Sequence, residues 1–175
     1  MGERVPTTIT FLEMRSQSQH RPTPPLDLAK GRVAVLKADN PPVHFYRYLY
    51  DAVGNPWHWV DRKRLSDTEL SAVIHDPKTE IFVLYVEGCP AGYAELDSRG
   101  MPTVDLAYFG LMPEFLGRRL GAFFLSTAIS IMWGKGAERL KVNTCTLDHP
   151  RALPLYQRMG FTPYAQREAV VELLD

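Results

Sequence analysis

Residues 109–122 read FGLMPEFLGRRLGA, and the fold turns on this stretch. An apolar run ends at Pro113. Gly117 and Gly121 then flank the start of a helical pattern from about Arg118 to Trp133, apolar at Leu120, Phe124 and Ile131. A helix starting here offers unpaired backbone N–H groups and partial positive charge in its first turn. Glycine lets a phosphate come close to the backbone. Arg118 and Arg119 add two positive charges at the same point. Two readings stand side by side: a seat for a phosphorylated ligand, or a helix start with glycines for tight packing and arginines in solvent.

Upstream lie three strands with short connections. Glu80 to Val86 (EIFVLYV) is nearly continuous in apolar residues, Gly88 to Pro90 turns it, and Ala91 to Leu96 (AGYAEL) returns. After the turn around Gly100, Val104 to Met112 (VDLAYFGLM) completes an antiparallel meander. Downstream, Leu140 to Thr146 is a strand, Pro150 to Met159 a helix stopped by Gly160, and Ala169 to Leu174 a closing strand. Nearer the N-terminus, Thr7 to Met14 and Arg32 to Lys37 read as strands, with the polar, proline-rich SQSQHRPTPP loop after the first. Val43 to Val53 has helical apolar spacing. Ser66 and Glu69 form a capping box for a helix that stops before Pro77. This order predicts a mixed α/β sheet. A dinucleotide-binding fold is disfavoured, because the glycine loop follows a meander and does not open the first strand–helix unit.

The chain of 175 residues is 45% hydrophobic and 23% charged, which predicts one soluble domain. Lys+Arg and Asp+Glu both total 20, so a formal net charge of zero argues against duplex DNA or an anionic membrane as partner. Cys89 and Cys145 are too few for a disulfide framework or a zinc site, and predict a reduced, cytoplasmic protein. MGERVPTTIT does not read as a signal peptide, and no run of 18 apolar residues predicts a membrane span.

Three further places invite a functional reading. Tyr156, in DHPRALPLYQRMGF, sits mid-helix among Leu153 and Leu155. It is either a core tyrosine or a proton donor held at a cleft. Glu95 alternates with Tyr93 and Asp97 on one strand face, as a solvated carboxylate or a base. Trp57 and Trp59 flank His58 in a proline-bounded connection, capping the core or lining a pocket.

Together the two long motifs resemble the GCN5-related N-acetyltransferase (GNAT) family. In that family a strand ending V-x-P is followed by an aromatic, Q/R-G-x-G-x-G/A and a long helix. Here Leu111, Pro113, Phe115 and Leu116-Gly117-Arg118-Arg119-Leu120-Gly121 take those places. The later pattern N-x-x-A-x-x-L-Y-x-x-x-G-F is met by His149, Ala152, Leu155, Tyr156, Gly160 and Phe161. The likeness covers roughly Glu80 to Leu174. Leu116, Arg119 and His149 depart from the pattern. Arg119 stands where the family has its middle glycine, which is tolerable if Arg119 already has helical dihedrals.

The resemblance implies a GNAT fold: a mixed, mostly antiparallel twisted sheet flanked by about four helices. It spans 1–175 as one domain, with 1–30 an N-terminal strand and Pro-rich loop extension. It implies transfer of the acetyl group of acetyl-CoA to a primary amine by direct attack in a ternary complex, without a metal. The alternative is a non-catalytic acyl-CoA-binding or regulatory module. The implied cofactor residues are Phe109, Gly110, Leu111, Gly117, Arg118, Arg119, Leu120, Gly121, Ala122, Asn143 and Tyr156. Strands 109–111 and 142–144 would admit the pantetheine arm between them. Tyr156 becomes the acid for the leaving thiolate and Glu95 the base, with Asp105 and His149 behind it. Trp57, Trp59 and Tyr46, with Tyr50 a turn from Tyr46, would line the acceptor pocket. The partner is then a small-molecule or peptide amine, with no nucleic acid and no membrane, and with a homodimer left open.

Overall fold

The structure is a computed structural model that describes residues 2–24, 26 and 31–174. Alternation of apolar side chains builds the meander: β3 (Thr79–Val86), β4 (Cys89–Asp97) and β5 (Thr103–Leu111) pair antiparallel in sequence. β2 (Val33–Ala38) adds antiparallel to β3, and β6 (Arg139–Cys145) adds parallel to β5. β1 (Arg4–Met14) lies antiparallel between β6 and β7 (Thr162–Glu172). The order across the seven-stranded sheet is β2-β3-β4-β5-β6-β1-β7. β1 is thus an interior strand, with Leu12 and Met14 fully buried beneath the later helices.

Helices cover both faces. α1 (Val43–Gly54) and α2 (Asp67–Ile74) pack Tyr46, Leu49, Val53 and Leu70 onto Ile81, Val83 and Tyr93. The predicted capping box of α2 is present, with the Glu69 N–H donating to the Ser66 hydroxyl and Glu69 accepting from the Ser66 N–H. α3 (Leu120–Gly134) and α4 (Ala152–Met159) pack Phe124, Leu125, Ile129 and Tyr156 onto Leu96, Leu106 and Leu140. Opposite side chains of one strand serve opposite cores, as Tyr93 and Ala94 do in β4.

Among the boundaries that differ from those the sequence predicts are the starts of α3, β7 and β1. α3 starts at Leu120 and not Arg118, because Gly117 (φ 79°) and Arg119 (φ 60°) are left-handed. β7 starts at Thr162, directly after the helix stop at Gly160. Its side chains are exposed from Thr162 through Glu168, so no apolar alternation marks its beginning. β1 starts at Arg4, and Pro6 is accommodated within it.

Candidate active site

β5 and β6 are paired only from Thr103↔Arg139 to Leu106↔Val142. Beyond that point the strands separate. Residues 107–111 and Asn143 and Cys145 line a cavity of about 1650 Å³ that opens between them. Backbone groups that leave a sheet ladder must find other partners, so such an opening suits an amide-bearing chain laid in as an extra strand. Phe109, Gly110, Leu111 and Asn143 all stand on its walls.

One end of the cavity is basic. Gly117 to Ala122 form its rim, and the N–H groups of Leu120, Gly121 and Ala122 belong to the first turn of α3, which has no intrahelical partner for them. Arg119 is the N-cap with φ 60° and ψ 11°, so the helical dihedrals expected for it are not found. A left-handed arginine costs about 1–2 kcal/mol, and such strain held at a cavity wall is a mark of functional sites. Arg21, Arg151 and Arg158 line the same cavity. Among the described residues none of these five arginines pairs with a carboxylate, whereas Arg15, Arg47, Arg62, Arg99 and Arg139 all do. Five arginines without a carboxylate partner among the described residues thus converge on one cavity, an arrangement that fits a polyphosphate.

Tyr156 projects from α4 to the wall of the same cavity and is 5% exposed. Phe109 and Phe161 hold its ring edge-on, at centroid distances of 6.4 and 6.1 Å. Its hydroxyl has no hydrogen-bond partner among the described residues. Burial pushes its pKa up, and the Asp148 carboxylate pushes it the same way. A hydroxyl so placed is a donor throughout the working pH range.

The opposite wall is aromatic. Tyr50, Trp59 and Tyr108 form a triangle with centroid separations of 5.1–5.4 Å. Gly54 makes this possible, since a Cβ there would lie 2.5 Å from the Trp59 ring. The segment carrying Trp57 and Trp59 bridges to the turn before α4. Trp57 packs at a tilt against His149, with ring centroids 4.8 Å apart, and the Trp59 indole N–H donates to Asp148 Oδ1 at 3.2 Å. Asp148 Oδ2 in turn accepts from the Thr144 hydroxyl (2.6 Å) and the Cys145 N–H (3.0 Å). Asp148 thereby ties the aromatic wall to the separated end of β6. Trp57 and Trp59 both line the cavity.

Two expectations are corrected. Tyr46 is fully buried and does not reach the cavity; Tyr50, one turn on, does. Glu95 is 1% exposed and is absent from the cavity wall. Its Oε1 accepts from the Tyr46 hydroxyl at 2.5 Å and its Oε2 from Arg62 Nη2 at 2.6 Å. Both arise because α1 covers the face of β4 that the sequence left facing outward. The weaker base candidates fare no better. Asp105 is half-buried and away from the cavity wall. His149 is at the wall, but its Nδ1 accepts from the Arg151 N–H, which leaves the proton of a neutral ring on Nε2. Tyr108 and Asp148 are site residues that sequence reasoning passed over, although Tyr108 immediately precedes the first motif and Asp148 opens the second.

The fold is that of the acetyltransferase (GNAT) family of proteins. Residues 33–161 match the Acetyltransferase (GNAT) family, and the chain belongs to that family. A protein of Bacillus subtilis (strain 168), provisionally assigned as a ribosomal protein bS18-alanine N-acetyltransferase, is 24% identical over 120 residues, covering 69% of this chain and 74% of the relative. A conserved protein of unknown function from Staphylococcus epidermidis ATCC 12228 shares the fold with a TM-score of 0.70 at 14% identity, over 97% of this chain and 63% of that one. A GCN5-related N-acetyltransferase from Kribbella flavida does so with a TM-score of 0.61 at 15% identity, over 98% and 60%. The chain thus spans less than two thirds of those solved chains. No described helix is long and apolar enough to cross a membrane. No group of three or more metal-capable side chains occurs among the described residues.

Proposed function

We propose that this protein transfers the acetyl group of acetyl-CoA directly to a primary amine. The observation that carries this reading is the parting of β5 and β6 beyond Leu106 and Val142, with the basic rim of α3 at one end of the opening and Tyr156 on its wall. First-turn N–H groups and Arg118 and Arg119 hold the pyrophosphate. The exposed strand edges at 109–111 and Asn143 take the amides of the pantetheine arm. The amine nitrogen attacks the thioester carbonyl carbon, the C–S bond breaks, and the Tyr156 hydroxyl gives the sulfur its proton. Water returns a proton to Tyr156 and takes one from the amine. With Glu95 sequestered, no side-chain base is assigned.

The aromatic wall selects the acceptor. A peptide N-terminus is the first class to try, because that is what the name of the Bacillus relative describes for that protein. The test is calorimetric titration with acetyl-CoA, followed by mass spectrometry of four amines: an alanine-initiated peptide, a lysine peptide with a blocked N-terminus, a polyamine and an aminoglycoside. Acetyl-CoA should bind and one amine should gain an acetyl group. For an α-amine, kcat/KM should rise with pH and level off near the ordinary α-amino pKa of about 8, because only the neutral amine attacks. No acetyl-CoA binding overturns the proposal. Binding without transfer to any amine favours a non-catalytic acyl-CoA-binding module.

A further inference from the structure

Glu95 is held away from the cavity, yet every group it touches leads back to it. Arg62, its ion-pair partner, lies in the segment that carries Trp57 and Trp59. The Arg62 guanidinium carbon stands 5.2 Å from the centroid of the Tyr108 ring, one corner of the aromatic triangle. The Arg62 N–H donates to the Tyr50 hydroxyl (3.3 Å), the second corner. The Arg62 carbonyl accepts from Arg47 Nη1, and Arg47 Nη2 also donates to the Leu65 carbonyl and to Asp67. Trp59, the third corner, is tied at its far side to Asp148. The segment is therefore pinned inside by Glu95 and latched outside by Asp148.

Resting on the acetyltransferase reading, we infer that Glu95 is a positioning residue. Through Arg62 it fixes the aromatic wall against which the acceptor amine is placed, and it takes no proton from that amine. The carboxylate spends both oxygens on Tyr46 and Arg62 and has no face on the cavity. Replacing it by a neutral side chain would leave a guanidinium that is 18% exposed without its counter-charge. Arg62 Nε is buried without a partner, so the side chain has no second anchor on that edge. Losing Glu95 therefore releases Arg62, and with it the segment.

The experiment compares Glu95→Gln, Arg62→Met and the double variant. It uses the alanine-initiated peptide as acceptor, or whichever amine of the panel is acetylated. Both single variants should raise the acceptor KM about tenfold or more, leave acetyl-CoA affinity within about twofold, and lower the melting temperature. They should keep the acidic limb of the pH–rate profile, and acrylamide should quench tryptophan fluorescence more efficiently as Trp57 and Trp59 loosen. The double variant should melt higher than either single variant, because no lone buried charge remains. If the singles do not fold, the double variant decides, because a proton acceptor would be missing from it too. Two results overturn the inference: a loss of about 10²-fold in kcat at unchanged KM with the acidic limb gone, which makes Glu95 the base, or unchanged KM and unchanged quenching, which makes the pair purely structural. A parent protein that binds no acetyl-CoA sinks the transferase reading instead, while quenching still reports whether the pin holds the segment.

Discussion

Tyr156 shows how one residue type acquires a role from its surroundings. An exposed tyrosine is already a weak acid. Here burial raises its pKa further, and Asp148 raises it again. Such a hydroxyl stays protonated at working pH, so it is available to donate to the sulfur as negative charge develops there. It also has nothing else to do, since no described group accepts from it. Tyr156→Phe keeps the ring between Phe109 and Phe161, so the melting temperature should stay near that of the parent. Turnover should fall by about 10²-fold or more, the usual range for a positioned acid. Acetyl-CoA affinity should hardly move, because the proton is needed mainly as the C–S bond breaks. Steady-state kinetics beside calorimetric titration check this. Parental turnover in a folded, acetyl-CoA-binding Tyr156→Phe protein would return the tyrosine to packing.

At the scale of elements, the loop into α3 is the most exacting part of the site. Gly121 is not there to relieve a clash: a Cβ would sit 3.7 Å from Leu111 and 3.8 Å from Leu155, ordinary contacts. Its bareness is instead turned toward the cavity. Gly121→Val should therefore fold, since valine is no worse a helix former than glycine, yet bind acetyl-CoA at least about tenfold more weakly, a difference of about 1.4 kcal/mol. Unchanged affinity in a folded protein would move the pyrophosphate elsewhere. The strand–turn–helix order around this loop was legible because each element carries its own local signal. The α2 capping box, the meander alternation and the stop at Gly160 are decided by residues within a few positions of one another. What local chemistry does not encode stayed hidden. Alternation in β4 puts Glu95 and Tyr93 on one face, but nothing local says that α1 covers that face and that Tyr46 and Arg62 meet the carboxylate there. The apolar spacing places the helix start near Arg118, which would make Arg119 helical. Its left-handed φ is imposed by the turn that brings β5 into α3.

Across the whole molecule, the family-matched residues 33–161 are not a complete sheet. β1 lies outside that range and yet separates β6 from β7, pairing with β6 over residues 9–14 and with β7 over residues 4–13. Its Leu12 and Met14 are fully buried against the core shared by α3 and α4. The segment after it is also fixed to that layer, with the Arg21 N–H donating to the Met159 carbonyl at 3.0 Å and His20 bonded to Ser126 at 3.1 Å. Burying a large apolar side chain is worth about 1.5–3 kcal/mol, against a net domain stability of about 5–15 kcal/mol. Removing β1 forfeits Leu12, Met14 and two ladders at once, and leaves β6 with an open edge. A chain of residues 31–175 should consequently lack a cooperative thermal transition and bind no acetyl-CoA, because β6 is one wall of the cavity. Supplying residues 2–24 as a peptide should restore both, since the strand pairs without needing its covalent link. Circular dichroism melting with and without the peptide checks this. A cooperative transition at the parental temperature from residues 31–175 alone would show that β1 merely decorates a core that stands without it.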